Sequence, residues 1–344
     1  MSPLGAARSW TPRPSTAGSR TRSTVPASRG ATAASVCPPP ATEPPVSPRL
    51  GRTGLWSTWD RLGASELLDV ARSAERLGYD AFWSQEGVGR EPFALLGRVA
   101  AETERITLAV GIAQTSARDP LAAHAAAATL QELCGGRFVL GLGVGHQEIE
   151  TVRGHAWRPP LQAMREYLDA FRVATYRGPL PYGEPPVVLA ALRQGMLRLA
   201  AELADGAFAY CVPVGYVASA RRHLDEAATR SGRPRPTLVV SAAVRLEADP
   251  QAARRAARGY LDRYLGLPNY LANLRELGYT DADLARPGSD RVVDALVAWG
   301  DDVALRARLR AYADAGADHV AMIPLTAEGA MADVPTIERL APPW

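Results

Sequence analysis

From Gly51 to Leu325 the chain repeats one texture, a short apolar run followed by an amphipathic stretch with apolar residues every three or four positions. The apolar runs fall at Thr53–Ser57, Ala81–Gln85, Ile106–Ile112, Arg137–Gly143, Pro186–Leu192, Gly206–Cys211, Thr237–Leu246 and His319–Ile323. They are short and mostly lack polar alternation, which predicts strands covered on both faces, as in a parallel sheet. The amphipathic stretches predict helices over Ser65–Leu77, Pro92–Glu102, Pro120–Leu133, Met164–Tyr176, Met196–Leu203, Val217–Thr229 and Val303–Ala315. A further helical stretch is expected to run through Leu277 and on to Trp299. Gly78 ends the first helix, and Asp119 before Pro120 reads as an N-cap.

Eight strands alternating with helices predict a (β/α)8 TIM barrel, a fold of about 250 residues. An open doubly wound sheet would place GxGxxG near the start, opening a helix, with an acid about 20 residues later. Here the glycines come at the fourth strand as GLGVGH (Gly141 to His146), which argues against a nucleotide-binding Rossmann unit.

Residues 1–48 have a different texture, rich in Pro, Ser, Thr, Ala and Arg and without a periodic apolar face. They are expected to be a disordered tail. The tail is Arg-rich like a transit peptide and lacks the apolar core of a secretory signal, but a functionless extension is the simpler reading. The barrel domain is assigned to 49–344.

Composition changes the picture in three ways. Hydrophobic residues are 47% and charged residues 22%, which suits a globular protein with a large core, and no run reaches the roughly 18 apolar residues of a membrane span. Six arginines against one acid give residues 1–49 +5 of a net charge of +3, so the rest sits at −2, which does not point to nucleic acid. There is no lysine, which excludes Schiff-base, pyridoxal phosphate and P-loop chemistry. Cys37, Cys134 and Cys211 are too widely spaced for a metal site, so no metal is expected, and they read as inert thiols of a cytoplasmic protein.

Chemistry in such a barrel sits at the C-terminal ends of the strands. Those ends carry Trp56 and Ser57, then Ser84, Gln85 and Glu86, then Ala113 to Asp119, then Gly143 to Glu148, then Leu192 to Gly195, Tyr210 to Tyr216, and Arg245. Glu86 and His146 are the titratable candidates for proton transfer, and each has a structural alternative, a helix start for Glu86 and a loop closure for His146. His124 reads as a helix residue and His319 as a satisfied barrel histidine, while His155 and Trp157 lie in a loop that could form a substrate lid. No GxSxG, HExxH or magnesium-type carboxylate cluster is present. Such a site suits hydride chemistry, in which a cofactor does the hard step and the protein orients it. The glycine-rich exit of the fourth strand reads as bare backbone on which a flat ring can lie.

The chain resembles the luciferase-like monooxygenase superfamily in its deazaflavin branch, the F420-dependent oxidoreductases of actinobacteria. The resemblance runs from Arg49 to the C-terminus. It is carried by LGYDAFWSQEGVGREPF (77–93), GIAQTSARDP (111–120), GRFVLGLGVGH (136–146), LAALRQGMLRLAAELADGA (189–207) and AGADHVAMIPL (315–325), with further stretches at 153–170, 267–284 and 289–301. It implies a cytoplasmic homodimer that binds coenzyme F420 across the strand ends and moves a hydride to or from a small organic substrate. It also implies cofactor contacts from Ser84 and Gln85, from Ile112, Ala113 and Gln114 in a third-strand bulge that often holds a non-proline cis peptide, and from Gly143 and Gly145. Arg193, Gly195 and Met196 fall in the phosphate loop. The chain departs from the family pattern at Gln114-Thr115-Ser116, where relatives show Asn-aliphatic-Trp. It departs again at Arg193-Gln194-Gly195-Met196, where relatives show Gly-Pro-Lys-Met, so Arg193 would replace the lost lysine. Two alternatives stay open: an FMN-dependent monooxygenase, and a barrel without catalysis acting as a binding or assembly module.

Overall fold

The computed structural model describes residues 50–344, so the expected disordered tail lies outside the described residues. Nine strands form: β1 Thr53–Ser57, β2 Ala81–Ser84, β3 Thr107–Gln114, β4 Phe138–Gly143, β5 Val187–Ala190, β6 Gly206–Ala209, β7 Thr237–Leu246, β8 Val297–Gly300 and β9 His319–Pro324. Every strand pairing is parallel. Each of β1 to β6 pairs with the next, β6 pairs with β7, β7 with β9, and β9 with β1, which closes an eight-stranded TIM barrel. The expected eight strands are therefore the barrel.

The ninth strand is a correction. Val297–Trp299 was expected to be helical, because VAW follows the helical spacing of Asp290–Leu296. Ten-residue β7 pairs with β6 only over Thr237–Val240, and β8 pairs with its upper half, Ala243–Leu246. At Ala243 and Val244 the other edge of β7 is taken by β9, so β8 lies on the β6 side. The free edge of a strand that outruns its neighbour provides partners that local periodicity does not reveal.

Strand alternation separates two apolar layers. Trp56, Trp83, Val139, Phe208, Val239 and Ile323 fill the lumen. Leu55, Phe82, Leu140, Leu189 and Val240 face the helices. The predicted helices form with ends shifted by a few residues: Ala64–Leu77, Pro92–Ala100, Pro120–Leu133, Pro160–Arg172, Gln194–Leu203, Val214–Arg230 and Asp302–Asp314. Asp119 caps its helix, accepting from the Ala122 N–H at 2.9 Å, and Gly78 closes another in the left-handed conformation.

Inside the barrel, His319 on β9 is fully buried. Its Nε2 accepts from the Trp83 indole N–H at 3.0 Å, so Nδ1 carries the proton and donates to the Gly51 carbonyl at 3.1 Å. Burial pushes this imidazole down to about 4. It is the satisfied barrel histidine expected from the sequence. His124 is buried too, at 3.2 Å from Glu184 Oε1.

Candidate active site

The mouth of the barrel is organised by β3. Its register to β4 runs Val110 to Leu140 and then Ala113 to Leu142, so β3 holds one extra residue, a bulge. The Gly111–Ile112 peptide bond within it is cis. Three contacts fix the bulge. The Trp56 indole N–H donates to the Gly111 carbonyl at 2.7 Å. The Glu86 N–H donates to the Ile112 carbonyl at 3.3 Å. The Glu86 carboxylate accepts from the Gln114 N–H at 2.6 Å.

Glu86 is therefore committed. Its side chain is 7% exposed, and Arg118 grips both oxygens, at 2.8 and 3.1 Å. Arg118 lies over the Phe93 ring, and its carbonyl accepts from the Tyr167 hydroxyl at 3.2 Å. The geometry gives Glu86 the work of positioning the bulge rather than of a free base.

The glycines of β4 have an equally definite reason. A Cβ at Gly143 would lie 2.7 Å from Ile112 Cδ1, and one at Gly141 would lie 2.2 Å from the Val110 carbonyl oxygen. Both positions are bare because the bulge and the Ile112 side chain fill the space, which corrects the reading of them as an open ring platform. Gly145 differs, with φ of +71° and the Gln114 amide oxygen 3.0 Å from where its Cβ would be.

Gln114 spans the top of the bulge. Its Nε2 donates to the Glu86 carbonyl at 3.2 Å, while its buried Oε1 has no partner. Ser84 Oγ is the second unpartnered oxygen at the strand exits, on the same strand face as Phe82. Gln85 is half-buried and its N–H donates to the Ser57 carbonyl. Ala113 is buried in the helix-facing layer, whereas Ile112 packs with the lumen.

His146 is half-buried at the start of the short helix Gln147–Val152, its ring 5.8 Å from that of Tyr270. Burial, and then the nearby positive charge of Arg263, hold its imidazole below the usual histidine range, so it is neutral at pH 7.

Sequence reasoning missed the aromatic cap of the mouth. The Tyr210 hydroxyl lies 2.7 Å from that of Tyr260 and 2.8 Å from that of Tyr264. Tyr210 packs on Trp56, and Tyr264 packs edge-on against Tyr270. Burial raises the Tyr210 and Tyr260 hydroxyls well above the usual tyrosine range, so they act as neutral hydrogen-bonding groups. The signal was present as GYLDRYLGLPNY, with tyrosines at 260, 264 and 270.

Arg193 is engaged in a surface ion pair: it sits exposed at the start of the helix Gln194–Leu203 and pairs with Glu276. Gly195 and Met196 occupy the first turn of that helix; the Met196 N–H donates to the Arg193 carbonyl at 3.0 Å, which leaves the Gly195 N–H as the first-turn amide open to an anion. Among the described residues no group of three His, Cys, Asp or Glu could hold a metal ion, and no helix is long and apolar enough to cross a membrane. Cys134 and Cys211 are buried free thiols, the latter pushed up to about 12 by burial.

Residues 47–319 match the family described as luciferase-like monooxygenase. A Mycobacterium tuberculosis protein named as a candidate coenzyme F420-dependent oxidoreductase is 29% identical over 332 residues, covering 80% of this chain and 94% of the relative. The 5,10-methylenetetrahydromethanopterin reductase of Archaeoglobus fulgidus is 28% identical over 56% of this chain and 64% of its own length. Among solved structures, an F420-dependent secondary alcohol dehydrogenase in complex with an F420-acetone adduct shares the fold with a TM-score of 0.68 at 15% identity, covering 85% of this chain and 97% of its own. The FMN-bound oxygenating constituent of 3,6-diketocamphane monooxygenase from Pseudomonas putida does so at 0.62 and 17%, covering 85% and 96%.

Proposed function

The chain belongs to the luciferase-like monooxygenase family, and from that premise we propose that it is an F420-dependent oxidoreductase, exchanging a hydride between the deazaflavin and a small organic substrate. The unpartnered Gln114 Oε1 above the β3 bulge carries this reading. A buried acceptor without a donor costs free energy unless a ligand completes it. A deazaflavin ring system offers the missing N–H. F420-dependent relatives at 28–29% identity support the choice of cofactor.

The residues present fit such a group. Gln114 would accept from the ring, Ile112 and the bulge would back it, and Gly145 and His146 would border it. The first-turn amide at Gly195 would meet the phosphate. When bound, the deazaflavin supplies a two-electron hydride donor or acceptor.

The protein's own part is orientation and proton handling. Trp56, Glu86 and Arg118 fix the bulge, so no backbone rearrangement is needed when the ring is bound. The neutral His146 imidazole can accept a proton at the substrate near pH 7. The tyrosine cap excludes water from the lumen side of the mouth.

Titration of the purified protein with coenzyme F420 and, in parallel, with FMN tests the proposal. F420 fluorescence anisotropy should rise with half-saturation in the micromolar range, and FMN should bind more weakly. Tighter FMN binding would make the protein a flavin monooxygenase, and no binding of either would return it to the non-catalytic alternative.

A further inference from the structure

A cavity of about 290 Å³ opens beside the β3 and β4 exits, roofed by the 153–167 segment. Its size lies near the lower end of the roughly 300–1,000 Å³ range of small-molecule pockets. Thr115, Ser116 and Val144 form the wall toward the bulge, and they are the chain neighbours of Gln114, Gly143 and Gly145. Trp157, 39% exposed, and Tyr167 form the aromatic wall. Tyr167 also donates to the Arg118 carbonyl, which ties this wall to the residues that hold the bulge.

Glu150 gives the cavity its character. Its side chain is 7% exposed and lines the cavity. Oε1 accepts from the Ser116 hydroxyl. Among the described residues Oε2 has no hydrogen bond, and His155 Nδ1 stands 3.5 Å away. The other charges of the lining, Arg158 and Glu166, pair with each other, and Gln162 adds a bond to Glu166 at 2.8 Å. Glu150 is therefore the one acid of the lining without an arginine partner, its second oxygen facing only His155 Nδ1. Such a pocket repels the phosphate-bearing tail of a cofactor and attracts a cation, because a buried carboxylate is costly without a positive or donating partner. Aromatic faces beside it add attraction for the same charge.

We infer that this cavity is the substrate subsite and that it selects a small organic cation, a protonated amine on a flat apolar body. The ammonium would donate to Glu150 Oε2 and the body would lie against Trp157 and Tyr167. As a substrate subsite it rests on the oxidoreductase reading, while as a cation site it stands without it.

Calorimetric titration of the full chain, free of cofactor, with benzylamine, benzyl alcohol and benzoate tests the inference, because the three probes share a body and differ in charge. Benzylamine should bind about tenfold tighter than either of the others, as a charge-assisted bond exceeds a neutral one. Glu150→Gln should erase that preference while leaving F420 affinity unchanged. Trp157→Ala, at a partly exposed position, should weaken benzylamine by about threefold to tenfold through lost cation–π contact. Equal or tighter binding of benzoate, binding of none of the three, or a preference that survives Glu150→Gln would overturn the inference. If Glu150→Gln does not fold, an unchanged benzylamine affinity in Trp157→Ala would do so. Benzylamine binding without F420 binding would uphold the cation site and remove the oxidoreductase reading.

Discussion

The two ends of the lumen handle buried polarity in opposite ways. At the β9 end both His319 nitrogens are satisfied, by the Trp83 indole and the Gly51 carbonyl. At the mouth, Gln114 Oε1 has no partner, although the backbone around it is held by Trp56, Glu86 and Arg118. A fold under no demand but stability would pair both ends alike. On the proposed function, the mouth is the end whose hydrogen bonding a ligand completes, in keeping with the division of labour of such barrels.

Removing the mouth's scaffold would break the comparison most severely. Glu86→Ala leaves Arg118 with only the half-exposed Glu91 carboxylate, 2.8 Å away, and the Gln114 N–H without its acceptor. It should cost about 2–4 kcal/mol of stability, measured by urea unfolding. A loss under about 1 kcal/mol would show that the bulge is held elsewhere.

The His319 end has its own signature in pH. The folded-state value of about 4 lies below the ordinary 6.5, so the unfolded chain binds a proton in that interval and the folded one does not. The contribution is whole above pH 6.5 and is lost as pH falls toward 4, amounting to about 3 kcal/mol. Urea unfolding of wild type and His319→Gln at pH 7 and pH 4 measures it. The variant should have the shallower pH dependence, and parallel curves would mean that His319 titrates normally.

The smallest change sharpens the comparison instead of breaking it. Gln114→Leu removes the unpartnered oxygen at the expense of one bond to the Glu86 carbonyl. Stability should shift by less than about 1 kcal/mol in either direction. F420 affinity should fall by about tenfold, the worth of one hydrogen bond to a buried acceptor. Unchanged affinity would show that the ring does not use Gln114.

The same contrast explains what was legible in the sequence. The eight barrel strands were visible because each is an apolar run between turns. β8 was not, because its reason to exist is the free upper edge of β7, which is set by the length difference between β7 and β6. The helices Pro160–Arg172, Gln194–Leu203 and Val214–Arg230 begin two to four residues before the sequence placed them, since first turns carry little apolar signal. The glycine run led to the right corner of the barrel for the wrong reason: Gly141 and Gly143 are bare to admit Ile112 and the Val110 carbonyl. Arg193 matched a family position by charge, yet its guanidinium pairs with Glu276, 83 residues away, a contact that local pattern cannot show.

The sequence alone determined the architecture, since strand and helix periods are local properties repeated often enough to be read without neighbours. It also excluded lysine chemistry outright and placed the candidate residues at the C-terminal ends of the strands. Only the tertiary structure decided their roles. Whether Glu86 is a base or a brace, whether a glycine is open or filled, and which buried oxygen still lacks a donor all depend on groups brought within about 3 Å by chain closure, the range over which hydrogen bonds act.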